Sequence, residues 1–224
     1  MLSIGHRGFK GLCLENTLES FGKAIALKAD MIEFDIRRCR TGEIFVIHDR
    51  GLKRVSGIDK SIRHSDYNTI KKITLKNGEK LLTLEEVLSF INKRVMVNIE
   101  IKEKGLEKDV ADIINKYVKK YKWNRKNIIV SSFNISCLRN FRRLDKYAKI
   151  GILKKSFNKK SLDIAHEIKA YSMHLNLRSV TKKIVDICHN NGLKVLVWTV
   201  NKPLEKDRLQ SWKTDGIFSD IPLI

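Results

Sequence analysis

Short apolar segments alternate with amphipathic segments along almost the whole chain of 224 residues. Compact apolar runs predict strands, and apolar residues three or four positions apart predict the helices between them. The predicted strands cover residues 2–6, 31–36, 44–48, 95–101, 128–133, 150–153, 171–175, 195–200 and 216–219. The predicted helices cover residues 17–28, 84–93, 106–121, 135–144, 161–168, 180–191 and 203–212. Repeated strand–helix units of this kind indicate a parallel sheet.

Nine extended segments are close in number to the eight strands of a (β/α)₈ barrel. Segment 44–48 is the exception, because its connection to the preceding strand is too short for a crossover helix. We therefore expect an α/β fold, a TIM-type (β/α)₈ barrel that is irregular around its second and third strands. No composition break or low-complexity linker divides the chain, so residues 1–224 are expected to form a single domain.

Local signals place several helix boundaries. Asn16 with Glu19, and Thr83 with Glu86, have the spacing of a capping box at the start of a helix. Pro203 suits the first turn of the last helix. The polar segment 49–80 is expected to be mainly loop, with a short helix around residues 66–72.

The chain is strongly basic, with 45 Lys and Arg against 25 Asp and Glu and a net charge of +20. The lysines are spread over most of the predicted helices, and no helix-turn-helix, zinc finger or aromatic-basic platform stands out, so no nucleic-acid partner is expected. A positive field would instead gather an anionic substrate or bring the protein into peripheral contact with an anionic membrane.

The cysteines and the apolar runs bear on location. Four scattered cysteines without a C-x-x-C pair fit reduced thiols better than a disulfide frame. No apolar run approaches the roughly 20 residues of a membrane span, and no signal-peptide pattern precedes the first strand. A cytoplasmic location is expected.

Acidic side chains occur inside segments that should be buried on both faces. Glu33 and Asp35 lie two residues apart and therefore share one face of a strand, as do Glu100 and Lys102 on another. Carboxylates in such places are costly unless they bind something. Three converging carboxylates would raise one another's pKa, and a hard divalent cation, Mg²⁺ or Ca²⁺, removes that difficulty. Zinc is less suited to a set without thiolates or a histidine cluster.

Two histidines follow strands on the same side of the predicted barrel. His6 and His48 lie at strand ends, where barrel active sites gather. Imidazole accepts and donates protons near pH 7, so the pair is suited to acid–base work on an ester. Arg7 offers a guanidinium fork to phosphate oxygens, and Lys102 offers a further cation. These groups together indicate metal-assisted phosphodiester chemistry.

The order and spacing of the motifs resemble the glycerophosphodiester phosphodiesterase family over essentially the whole chain, and this family is related to phosphoinositide-cleaving barrels. The matching segments are His6-Arg7-Gly8, Glu15-Asn16-Thr17, Glu33-x-Asp35, Thr41-Gly42, His48-Asp49 with Leu52 and Arg54, Thr83-Leu-Glu-Glu-Val, Asn98-Ile-Glu-Ile-Lys102, Ser131-Ser-Phe133, Val197-Trp-Thr-Val-Asn201 and Asp215-Gly-Ile-Phe-Ser-Asp-x-Pro222.

The resemblance implies a TIM-type barrel that cleaves glycerophosphodiesters to sn-glycerol 3-phosphate and an alcohol. It implies that His6 and His48 form the acid–base pair, and that Arg7 and Lys102 contact phosphate. The implied metal ligands are Glu33, Asp35 and Glu100. The chain departs from the usual pattern of the family at two scaffold positions. It has Thr41-Gly42-Glu43 where the family usually has Asp-Gly, and Leu82 where the family often has proline.

Three further residues are assigned to substrate binding. Trp198 and Phe133 are expected to line the pocket, with Trp198 packing on the glycerol carbons. Glu15 precedes a predicted helix and is expected to reach the site. Two alternative functions remain open from the residues alone: a lysophospholipase D-like or other lipid phosphodiesterase using the same groups, and a non-catalytic binding barrel.

Overall fold

A computed structural model describes residues 1–223 of the chain. It contains nine strands: β1 (Leu2–His6), β2 (Met31–Arg38), β3 (Ile44–Val46), β4 (Met96–Ile101), β5 (Ile128–Ser132), β6 (Lys149–Lys154), β7 (Ser172–Asn176), β8 (Lys194–Trp198) and β9 (Gly216–Ser219). The helices are α1 (Leu18–Ala26), α2 (Lys53–Ser56), α3 (Tyr67–Lys72), α4 (Leu84–Ile91), α5 (Glu107–Lys120), α6 (Ile135–Leu144), α7 (Lys159–Glu167), α8 (Lys182–Asn190) and α9 (Pro203–Ser211).

Eight of these strands close into a parallel barrel. The order around the sheet is β1, β9, β8, β7, β6, β5, β4 and β2, and β1 also pairs with β2. The remaining strand, β3, pairs antiparallel with the end of β2 and lies outside the closed ring. The predicted TIM-type barrel is therefore confirmed, including the irregularity around the second and third strands. Its cause is the short β2–β3 connection, which permits only a hairpin.

The apolar residues form three clusters. The largest fills the space between the outer faces of the strands and the surrounding helices, and a smaller one fills the barrel interior at the end opposite the charged residues of β2 and β4. The third lies under segment 49–80, where Phe45, Leu52, Ile62 and Ile70 are almost completely buried. Burial of each such side chain contributes roughly 1.5–3 kcal/mol of transfer free energy.

Segment 49–80 is more ordered than the sequence indicates. The short helix expected around residues 66–72 is present as α3, but α2 was not predicted because four residues are too few to show a period. The third apolar cluster holds this segment against β3, next to the carboxyl ends of the strands. The segment therefore forms part of the wall near the site.

One predicted cap is wrong. Helix α1 begins after Thr17, whose hydroxyl accepts from the Ser20 amide while the Ser20 hydroxyl accepts from the Thr17 amide. Asn16 instead adopts a left-handed conformation, with φ of 59°, one residue before the cap. The other predicted capping box, Thr83 with Glu86, is confirmed at the start of α4.

Among residues 1–223, no helix combines the length and the apolar character needed to cross a bilayer.

Candidate active site

The register of the barrel brings the acidic residues together. Glu33 on β2 is level with His6 on β1 and with Asn98 on β4, and Asp35 is level with Glu100. One carboxylate oxygen from each of Glu33, Asp35 and Glu100 lies within 4.8 Å of the others. All three side chains are buried, and they lie at the carboxyl end of the strands, where barrel enzymes place their active sites.

Burial and mutual repulsion govern the ionisation of this cluster. Burial, together with the charges of Asp35 and Glu100, raises the pKa of Glu33 well above its ordinary value. Burial and then the charge of Asp35 raise the pKa of Glu100 to about 7. Burial also acts to raise the pKa of Asp35, but Lys102 and Arg7 outweigh it and hold the pKa below its ordinary value.

The acidic cluster fits a divalent cation. Oε1 of Glu33 is buried and has no hydrogen-bond partner within residues 1–223, and Oδ2 of Asp35 has only the ion pair with Arg7. Unpartnered buried carboxylate oxygens of like charge are costly, and a hard cation with oxygen ligands satisfies them.

Two cations border the same cluster. Nε of Arg7 lies 3.3 Å from Oδ2 of Asp35, and Nζ of Lys102 lies 3.2 Å from Oδ1 of Asp35 and 2.6 Å from Oε1 of Glu100. Burial acts to lower the pKa of each cation, but the neighbouring carboxylates outweigh it, so both pKa values are raised. Both groups therefore stay charged next to the acidic cluster.

Each histidine of the site is bonded to a carboxylate through Nδ1. Nδ1 of His6 lies 2.6 Å from Asp220, and Nδ1 of His48 lies 2.7 Å from Asp49. Burial lowers the pKa of both imidazoles despite these partners. A neutral ring that donates Nδ1–H to a carboxylate has Nε2 free as a proton acceptor. In His6 this Nε2 lies 3.9 Å from Glu33, on the side of the acidic cluster.

A chain of ion pairs connects Arg7 with His48. Glu15 accepts from Nη1 of Arg7 at 3.1 Å and from both terminal nitrogens of Arg54 at 2.7 and 2.8 Å. Nε of Arg54 donates to Asp49 at 2.6 Å, and Asp49 in turn holds His48. Burial raises the pKa of Glu15, but Arg54 and Arg7 outweigh it, and the net shift is downward. Arg54 on α2 thus connects segment 49–80 to Glu15, which contacts Arg7, and to Asp49, which contacts His48.

A cavity of about 260 Å³ opens over these residues. Its charged side is formed by His6, Arg7, Lys10, Glu33, His48, Glu100 and Lys102, and its apolar side by Phe133, Leu153, Trp198 and Phe218. Trp198 meets Phe133 edge to face at 5.6 Å and donates its Nε1–H to the His174 carbonyl. Asp35 lies below the cavity and is 1% exposed. A polar side facing an apolar side suits a small amphiphilic ligand.

The structure brings nine of the ten predicted site residues to this cavity or directly beneath it. Glu15 is the exception: it does not line the cavity, and its carboxylate is held between two arginines. Its contact with substrate stays a prediction, and the contacts seen are with Arg7 and Arg54.

Four further residues at the site had no role assigned to them from the sequence. Asp220, Asp49 and Arg54 occur in the family-like motifs without an assigned role, and Lys10 lies 3.6 Å from Asp220. The carboxylates could have been found from their neighbourhood in the sequence, since Asp49 follows His48 and Asp220 follows the last strand. The role of Arg54 depends on how α2 packs, which no local pattern indicates.

His174 on β7 lies apart from this chemistry. Its ring is completely buried, Nε2 bonds to the Ser172 hydroxyl at 2.8 Å, and the ring packs against Phe218. Burial lowers the pKa of His174 to about 3.

Comparisons with known proteins agree with this fold and identify its family. The family model described as the glycerophosphoryl diester phosphodiesterase family matches residues 6–224. A glycerophosphodiester phosphodiesterase of Caldanaerobacter subterraneus subsp. tengcongensis is 33% identical over 230 residues, which cover 99% of this chain and 94% of the relative. A Bacillus altitudinis glycerophosphodiester phosphodiesterase is 28% identical, with 98% of this chain and 94% of the relative covered.

Two solved structures have the same architecture. A glycerophosphodiester phosphodiesterase from Thermotoga maritima is 31% identical with a TM-score of 0.79, covering 98% of this chain and 94% of its own. An Oleispira antarctica phosphodiesterase, solved in complex with the product sn-glycerol-3-phosphate, has a TM-score of 0.91 at 24% identity. The match covers 100% of this chain and 94% of the Oleispira chain. The fold and the relatives together define the class, a TIM-barrel phosphoric diester hydrolase. The chain belongs to the glycerophosphoryl diester phosphodiesterase family.

Proposed function

We propose that this protein hydrolyses glycerophosphodiesters to sn-glycerol 3-phosphate and an alcohol. The observation that carries the proposal is one cavity in which two carboxylate-bound imidazoles, His6 and His48, border three clustered carboxylates and two cations. Relatives named for this activity cover nearly the whole chain. The apolar side of the cavity also favours a substrate with a carbon skeleton, which it can contact while the charged side binds the phosphate.

A divalent metal ion, Mg²⁺ or Ca²⁺, would be held by Glu33, Asp35 and Glu100. These residues fit it because they offer oxygen ligands, converge within 4.8 Å and leave buried oxygens unpartnered. When bound, the ion would neutralise negative charge on the phosphoryl oxygens.

His6 and His48 are proposed to move the protons. Their carboxylate partners fix Nδ1–H and leave each Nε2 available, so one imidazole can take a proton while the other, in protonated form, gives one to the leaving alkoxide. Asp220 and Asp49 would hold the rings in place and stabilise the imidazolium forms, as the aspartate of a catalytic triad does. The Nδ1–carboxylate distances of the two rings are similar, at 2.6 Å for His6 and 2.7 Å for His48.

The attacking group is proposed to be the hydroxyl next to the phosphate in the glycerol moiety. One histidine takes the hydroxyl proton, the new O–P bond forms, and the bond to the leaving alcohol breaks as the other histidine protonates that oxygen. Water then opens the cyclic phosphate and restores both histidines. Within residues 1–223 the cavity lining includes no Ser or Cys, which supports attack by a substrate hydroxyl or by water and not by a serine or cysteine of the protein.

The remaining residues would position the substrate. Arg7 and Lys102 would contact the phosphate oxygens, and Trp198 and Phe133 would cover the glycerol carbons. Glu15 orients Arg7 through the contact described above. A preorganised cation costs little reorganisation as charge develops on the phosphate.

Release of glycerol 3-phosphate from several diesters, with and without a chelator, tests the proposal. His48→Ala should lower turnover by about 10²–10⁴-fold, the contribution expected of an acid–base group. His166→Ala is the matched control, because His166 is an exposed histidine on α7. Equal rates for His48→Ala and the wild type would overturn the assignment.

Two comparisons of substrates refine the result. Glycerophosphocholine cleaved in preference to lysophosphatidylcholine supports the proposed substrate, and the reverse order would indicate a lipid phosphodiesterase. A diester without the neighbouring hydroxyl should react far more slowly, and equal rates would exclude the cyclic route.

A cytoplasmic location, a peripheral contact with anionic membrane and a single domain over residues 1–224 stay predictions from the sequence.

A further inference from the structure

A second cleft of about 260 Å³ lies beside the reaction cavity. It is lined by four arginines, Arg37, Arg38, Arg50 and Arg63, together with His64 and a single carboxylate, Glu103. With His64 neutral, the charged lining carries a net charge of +3. None of these residues lines the reaction cavity, so the proposed chemistry does not account for them.

The two cavities share a wall. The His48 side chain faces the reaction cavity, while its carbonyl accepts from Nε of Arg37, which faces the cleft. A second part of the shared wall follows β4, where Lys102 lines the reaction cavity and the next residue, Glu103, lines the cleft. The cleft is therefore formed by the ends of β2 and β4 together with residues of segment 49–80, on the far side of His48 and Lys102.

The positive charge of the cleft is only partly neutralised by the protein. Glu103 accepts from the Arg38 amide at 2.9 Å and approaches Arg37 at 3.4 Å, and Arg38 also pairs with Asp109. Within residues 1–223, Arg50 and Arg63 have no carboxylate within 4.0 Å. Nε of Arg38 is buried without a hydrogen-bond partner there. The exposed guanidinium groups of Arg50 and Arg63 therefore remain available as donors in a concave site.

The walls of the cleft are held in place. The Ile62 amide donates to the Arg50 carbonyl at 2.9 Å, and Gly51 pairs with Ser61. Arg37 is itself buried, and its Nε is fixed on the His48 carbonyl. A guanidinium that is already ordered loses little entropy on binding an anion, and its planar fork matches phosphate oxygens.

We propose that this cleft binds a phosphate group, as an anion site separate from the reaction cavity. Its small concave shape favours a single anionic group over an extended macromolecule. The phosphate has two sources: a second phosphate on the leaving alcohol of a diester, or a free phosphorylated ligand. The first source rests on the proposed function, and the second does not.

Calorimetric titration of the whole protein with inorganic phosphate tests the cleft. The buffer contains a chelator and about 0.15 M salt, which screens long-range charge. The double variant Arg50→Gln/Arg63→Gln should weaken one class of phosphate site by about tenfold or more, because it removes two charge-assisted donors. Both side chains are exposed, so the fold should be retained.

The double variant Arg143→Gln/Lys183→Gln is the matched control. It removes the same charge from exposed positions on α6 and α8, away from the cleft, and should leave phosphate binding unchanged. Loss of phosphate binding in the cleft variant alone supports the proposal. Equal binding by the cleft variant and the wild type overturns it, as does an equal loss in the control, which would show a general effect of net charge.

Kinetics separate the two sources. For a diester with a second phosphate on the leaving alcohol, a substrate site predicts that the cleft variant raises KM by about tenfold while KM for glycerophosphocholine is unchanged. Unchanged KM for both diesters, together with the lost titration signal, assigns the cleft to a free phosphorylated ligand. If the wild type cleaves neither diester, the proposed function fails, and the titration still decides the cleft.

Discussion

Nδ1 of His6 lies 2.6 Å from Oδ1 of Asp220, so residues 214 positions apart share a hydrogen bond at the mouth of the barrel. The contact exists because β1 pairs with β9, with Gly5 level with Ser219. Closure of the barrel and orientation of the imidazole therefore depend on the same pair of strands.

Asp220→Asn should lower kcat through the orientation of His6. The amide keeps the shape of the side chain but no longer favours the His6 tautomer that carries Nδ1–H. The corresponding change in serine proteases lowers kcat by about 10⁴-fold. We expect a loss of at least about tenfold, measured as release of glycerol 3-phosphate. Asp207→Asn on α9 is a suitable control, since that aspartate is exposed and does not line the cavity. Equal kcat in both variants would contradict an orienting role.

Glu33→Gln should abolish stabilisation by metal without destabilising the metal-free protein. The amide oxygen can still accept from the Arg7 amide, and a neutral amide does not repel Asp35 and Glu100. A metal that binds only the folded state stabilises it by about 2.7 kcal/mol at 100 times its Kd. The measurement is Tm with a chelator and then with added Mg²⁺ or Ca²⁺. A variant that keeps the wild-type shift in Tm would rule out Glu33 as a ligand.

Arg54→Gln should weaken catalysis although Arg54 does not line the reaction cavity. It removes the link between Glu15 and Asp49, and hydrogen bonds to charged groups are each worth about 1.5–3 kcal/mol. We discount this for the partial exposure of Arg54 and expect kcat/KM to fall by about tenfold. Lys53→Gln on the same helix removes an exposed cation and should leave kcat/KM unchanged. A similar loss in both variants would point to local disruption of α2 rather than to the link.

His174 should make the protein less stable in mild acid. Its pKa is about 3 in the folded state against about 6.5 when unfolded, so below pH 6.5 the unfolded state binds the additional proton and gains stability. This residue should remove about 2 kcal/mol of unfolding free energy between pH 7 and pH 5. Urea unfolding at the two pH values should show a smaller loss for His174→Gln than for the wild type. Parallel losses in the two proteins would show that His174 is not responsible.

Gly151→Ala should destabilise the barrel interior. A Cβ at Gly151 would lie 2.4 Å from two ring atoms of His174, and overpacking of a filled core costs about 1–3 kcal/mol. Gly22→Ala on α1 is the contrasting variant, because its Cβ would meet only the Phe90 ring at an ordinary 3.6 Å. Alanine is the better helix former by about 0.5–1 kcal/mol, so that variant should be stabilised. Urea midpoints that move in the same direction would contradict this view of the core.

Much of the fold and the site could be predicted from sequence because both depend on regular periods. Strand ends of a parallel barrel meet at one face, so polar residues that end successive strands indicate a common site without any distance being known. Glu33, Asp35 and Glu100 were found in this way, since acidic residues inside buried apolar strands are conspicuous. The cap at Thr17 was missed because Asn16 and Thr17 are both good capping residues, and the choice between them depended on the path of the chain before α1.

The sequence by itself determined the barrel, its irregular β2–β3 connection, and the residue types available for acid–base and phosphate chemistry. These follow from alternating periods, connection lengths and side-chain chemistry, all of which are local. Only the tertiary structure decided that Asp220 faces His6, that Arg54 joins Glu15 to Asp49, and that four arginines line a second cleft beside the first. Such contacts depend on barrel closure and on the packing of segment 49–80, which bring together side chains far apart in the chain.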